Sequence, residues 1–91
     1  NILNEDNKKI LEKLVNEYSI KIKRKIKNEF SLSLYIREHS KGGKTKKYSI
    51  DVSVISSTIR FKSIASEWDF ARTIHSAFRK VITEIEHRFH E

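Results

Sequence analysis

Along the first quarter of the chain, Leu11, Leu14, Val15, Tyr18, Ile22 and Ile26 recur at steps of three and four. That spacing returns side chains to one face of an α-helix, and it predicts a first helix with these residues as its buried stripe. Asn4, Glu5 and Asp6 open it with a capping acceptor and with negative charge at the positive end of the helix dipole. The segment YSIKIKRKIKNEF is ambiguous, because Ile20 and Ile22 alternate with lysines as in a strand. A strand there would break the stripe that begins at Leu11, and Arg24-Lys25 interrupts the alternation. Helix is the better reading, with Ile20 left exposed.

From Ser31 the period drops to two. Leu32, Leu34 and Ile36 face one way; Ser31, Ser33, Tyr35 and Arg37 face the other. SKGGKTKK follows, with Gly42-Gly43 as a turn signal. Tyr48, Ile50, Val52 and Val54 then alternate with serines and Asp51, and after a turn at Ser56-Ser57 so do Ile59 and Phe61 with Arg60 and Lys62. Three strands with one apolar face form an antiparallel meander. Ser66-Glu67-Trp68-Asp69 reads as a capping box, with Asp for the usual Glu. The second helix carries its stripe on Ala71, Ile74, Phe78, Val81, Ile85 and Phe89. Ser66 as the cap would seat Trp68 at the junction of last strand and helix, where truncation to Ala would cost about 3–5 kcal/mol.

One-sided helices and a one-sided sheet can bury their apolar faces only against each other. The expected fold is α+β, a two-layer sandwich in which two helices cover one face of an antiparallel sheet. The sheet has three strands, or four if Ile2-Leu3 is the stub of another. Ninety-one residues make one domain, residues 1–91.

Charge adds a direction. The net charge is +7, and the excess sits at Lys21–Lys27 and Lys41–Lys47. Such a surface favours polyanions, nucleic acid before membrane. With no cysteine there is no disulfide framework or thiol nucleophile, which suits a reducing cytoplasm. No apolar run approaches the ~20 residues of a membrane span. No Gly-rich phosphate loop precedes a helix, and no serine sits in a nucleophile elbow. His75, His87 and His90 lack partners at metal-ligand spacing and read as solvated helix residues. The expectation is therefore no enzyme, no cofactor, no metal and no small-molecule substrate.

For nucleic acid there are two surfaces. The open sheet face offers only Tyr35 among serines, which argues against base stacking there. The helices offer Lys9, Lys13, Lys23, Arg24 and Lys27 on one and Arg72, Arg79 and Lys80 on the other. Two rows of cations track phosphates without reading sequence. Lys41, Lys44, Lys46 and Lys47 of the hairpin are auxiliary phosphate contacts. For any single lysine a solvated surface role is the better reading; for the ensemble, binding is.

The order helix–β–β–β–helix, the charged hairpin and the run EWDFARTIHSAFRKVITEIEHRF resemble the ribosome hibernation-promoting factor family, also described as ribosome-associated inhibitors or sigma-54 modulation protein-like. The family's last strand ends in a small-residue turn before an acidic, aromatic helix start, here Ala65-Ser66-Glu67-Trp68-Asp69. The resemblance implies a cytoplasmic monomer that binds ribosomal RNA of the small subunit, in the channel of mRNA and tRNA, and blocks translation under stress. By position, Lys23, Arg24, Lys27, Arg72, Arg79 and Lys80 would make the contacts. The family has a strand before its first helix, for which Asn1-Ile2-Leu3 is too short. A double-stranded-RNA-binding domain shares the topology, but the lysine-dense start of its second helix is absent here. A protein-interaction domain that uses the sheet is the third reading.

Overall fold

The computed structural model describes residues 3–40 and 46–89. Helix α1 spans Glu5–Ile26, strands β1, β2 and β3 span Phe30–Ser40, Lys46–Ser56 and Arg60–Glu67, and helix α2 spans Phe70–Phe89. The strands form one antiparallel sheet in the order β1-β2-β3, and the helices share one of its faces. This is the expected α+β architecture. Of the optional fourth strand, Ile2 lies outside the described residues, and Leu3 is not in a strand but packs against the core.

Local chemistry explains both ends of α1. The Asn7 N–H donates to Asn4 Oδ1 at 2.7 Å, which caps one of the free amides of the first turn. At the other end Lys27 turns left-handed, with φ 59°, and its N–H donates to Lys23 O at 2.9 Å. A side chain with a Cβ is strained in that conformation. Lys27→Gly is expected to raise unfolding stability by about 0.5–1 kcal/mol, read as a higher denaturation midpoint at unchanged slope. Between the caps, Leu14, Tyr18, Ile22 and Ile26 are buried, and Ile20 is 49% exposed, as the helical reading required.

The core lies between the layers. Ile50, Val52 and Val54 of the central strand are fully buried beneath Ile74, Ala77, Phe78, Val81 and Ile85 of α2. Helix α2 lies closest to β2 and β3, and α1 lies beside α2. Leu32, Leu34 and Ile36 on the edge strand β1 are only half-buried. On β3, Ser63 points inward, and its hydroxyl has a partner there, donating to Ala77 O at 2.6 Å.

The start of α2 differs from expectation. Ser66 still belongs to β3, and its hydroxyl is hydrogen-bonded to that of Ser49 at 2.6 Å. Asp69 is the cap: Oδ2 accepts from the Arg72 N–H at 2.9 Å, and its carbonyl accepts from the Thr73 hydroxyl at 2.7 Å. Pairing of Tyr48 with Glu67 carries the strand one residue further than the capping box allows. Trp68 is therefore not the junction residue. It follows the pleat onto the far side of the sheet and stands 54% exposed, with Lys47 Nζ 5.5 Å from its ring centre. Phe70, 5% exposed and edge-on to Tyr48 at 5.2 Å, fills the junction instead.

Candidate nucleic-acid interface

At 100° per residue, the buried stripe of α1 divides its cations between two flanks. Lys21, Arg24 and Lys25 fall on the flank that meets α2, where they line a cleft of about 670 Å³ with Arg79, Thr83 and Glu86. Lys23 falls on the other flank, in a separate groove with Ser19, Ile20 and Phe30. The sequence treated Lys23, Arg24 and Lys27 as one row; the helix separates the first two, and Lys27 lies just beyond its last turn.

The floor of the cleft is packed and tied across the two helices. Tyr18 is buried with its ring stacked on Phe78, the centres 4.7 Å apart and the planes 2° from parallel. Its hydroxyl is hydrogen-bonded to Nδ1 of His75 at 2.6 Å, tying α1 to α2. His75 is thus a half-buried interhelical tie rather than the solvated residue its sequence context suggested. Lys21 Nζ lies 5.2 Å from the Tyr18 ring centre, and Lys25 forms an ion pair with Glu86 at 2.8 Å. Exposed pairs of this kind add little stability. Their effect is on charge: four cations converge against one carboxylate.

The remaining predicted residues scatter around this centre. Arg72 shares a second groove on α2 with Arg79 and Lys80, so Arg79 joins the cleft to that groove. Lys80 Nζ donates to Ile64 O at 3.0 Å, so this lysine also covers the free edge of β3. Lys9 and Lys13 are exposed on the first half of α1; the 11 residues from Lys13 to Arg24 place them about 16 Å or more along the helix from that arginine. Of the hairpin lysines, Lys46 pairs with Glu38 at 3.3 Å and Lys47 lies over Trp68, while Lys41 and Lys44 fall outside the described residues.

Sequence reasoning did not single out Lys21 and Lys25. A signal was present: residues 18, 21 and 25 have the spacing of one helical face, with the two lysines bordering the stripe. No described helix is long and apolar enough to cross a membrane. Compared with known proteins, the chain matches no family model, no curated protein and no solved structure.

Proposed function

We propose that the chain binds structured RNA through the cationic cleft between α1 and α2, and that its target is RNA of the small ribosomal subunit, where it obstructs the channel of mRNA and tRNA and inhibits translation. The observation that carries the RNA reading is the convergence of Lys21, Arg24, Lys25 and Arg79 from two helices on a floor fixed by Tyr18 and His75. Cations held on rigid elements meet a phosphate backbone without first being ordered, so less of the attraction is spent on immobilising them. Arg72 and Lys80 extend the track along α2. The resemblance to hibernation factors supplies the ribosomal target and the inhibitory outcome. The α-β-β-β-α order favours one alternative, a duplex-RNA binder without a preferred target.

Co-sedimentation with purified ribosomal subunits across a salt series tests this reading. Six phosphate contacts predict a loss of affinity of about 10³-fold between ~50 and ~200 mM salt. Small subunits are expected to be bound ahead of large ones, and an unrelated RNA duplex is expected to compete poorly. Equal competition by the duplex would replace the ribosomal reading with the generic one. Binding indifferent to salt would remove both.

A further inference from the structure

The helices leave the other face of the sheet bare, and among its serines Ser31, Ser33, Ser49, Ser53 and Ser66 that face carries aromatic rings and cations. By register, Arg37 lies beside Ser49 and Ser49 beside Ser66; one step along, Tyr35 lies beside Asp51 and Asp51 beside Ile64. Tyr35 is 61% exposed and Ile64 is 50% exposed. Trp68, two residues past Ser66, adds a second aromatic ring beyond the end of β3. The same face carries Arg37, Lys47, Arg60 and Lys62 against a single acid, Asp51.

We propose that this open sheet face is a second binding surface, for single-stranded RNA, on which Tyr35 and Trp68 stack bases while Arg37, Lys47, Arg60 and Lys62 neutralise phosphates. The surface is distinct from the interhelical cleft and does not depend on it. Aromatic rings set among cations on an open sheet match the chemistry of an unpaired strand, whose bases offer flat faces and whose backbone offers charge. From strand rise and spacing, the two rings lie on the order of 16 Å apart, so one strand can engage both with other nucleotides between. The cations already sit by the rings: Arg37 Cζ is 5.4 Å from the Tyr35 ring centre and Lys47 Nζ is 5.5 Å from that of Trp68. At an exposed site such contacts are weak, so an incoming base displaces the cation from the ring and leaves it next to the phosphate. Asp51 helps hold Arg37: its Oδ1 is 3.6 Å from Arg37 Nη2, an ion-pair distance too long for a hydrogen bond.

A second copy of the chain is the competing occupant. Pairing this face with itself would set four cations and one carboxylate against the same set, a net repulsion across the contact. Charge complementarity favours the nucleic acid.

Trp68 is the only tryptophan, so its fluorescence reports on this face alone. Titration with a ten-nucleotide oligouridylate is expected to quench it saturably, and Tyr35→Ala is expected to weaken binding about tenfold, with Tyr35→Phe retaining it. Tyr35 is exposed, so circular dichroism should stay native in both variants. Glutamate substitutions at Lys21 and Arg24 in the cleft should leave the titration unchanged, which separates this proposal from the duplex and ribosome reading. Quenching by inorganic polyphosphate as strong as by the oligonucleotide would overturn the proposal in favour of simple charge attraction. So would an unaltered affinity in Tyr35→Ala. A concentration-dependent dimer in sedimentation, with Trp68 emission shifting to the blue in the absence of RNA, would overturn it in favour of self-association.

Discussion

Reversal of Lys21, Arg24 and Arg79 to glutamate is expected to lower affinity for small ribosomal subunits by at least about 10³-fold and to abolish inhibition of translation. The three residues line one cleft from two helices, so an RNA backbone entering it brings a phosphate to each of them. Losing three contacts should also flatten the dependence of log affinity on log salt by roughly 2.7, at about 0.9 per phosphate. New anions repel what the cations attracted, so the loss exceeds that of neutralisation. Lys25 is left in place because Glu86 already offsets it. The control is Lys23→Glu with Lys27→Glu, two reversals against three, on the far flank and past the helix end. That pair should cost far less. An equal loss from the control would mean that total charge decides binding and that the cleft has no special role.

Truncation of Phe78 to Ala is the change expected to damage the fold most. Phe78 is fully buried, stacks on Tyr18, and lies where α1, α2 and the sheet meet in one cluster. Deleting a ring in such a site costs about 3–5 kcal/mol, because transfer and cavity terms add. At about 4–8 °C per kcal/mol for a domain of this size, the thermal midpoint should fall by at least ~12 °C. Trp68→Ala serves as the comparison. Its ring is larger but half in water, with Lys47 beside it, so its loss should stay within about 1 kcal/mol. Similar midpoints for the two variants would contradict the division between a buried Phe78 and a Trp68 turned to solvent at the junction that Phe70 fills.

That division shows where reading the sequence succeeds and where it stops. The stripes of α1 and α2 and the alternation of the three strands were legible, because each is a local periodicity tied to burial on one face. The start of α2 was not. Ser66 and Asp69 are both competent caps, and nothing local chooses between them. The choice is made by Tyr48, 19 residues before Glu67, which extends the ladder and takes Ser66 into the strand. The cleft has the same character. Arg24 and Arg79 were recognised as basic surface, but which flank of α1 meets α2 depends on contacts such as Tyr18 with His75, 57 residues apart. The same misplaced cap assigned Trp68 to the interior and left Tyr35 as the lone aromatic ring counted on the open sheet face.

The seam between the first and last helices also bears on how the chain is made. Synthesis proceeds from the N-terminal end, so α1 and the whole meander emerge before α2. Helix α1 lies closest to α2, and Phe78, on which Tyr18 stacks, belongs to that last element. Until then Leu14, Tyr18, Ile22 and Ile26 present an apolar stripe with no neighbouring helix, as do Ile50, Val52 and Val54 on the sheet. Docking of α2 covers both in one step. Helix α1, made well before α2, is therefore among the last of these elements to be sheltered, and its stripe is a part of the nascent chain that a chaperone would meet.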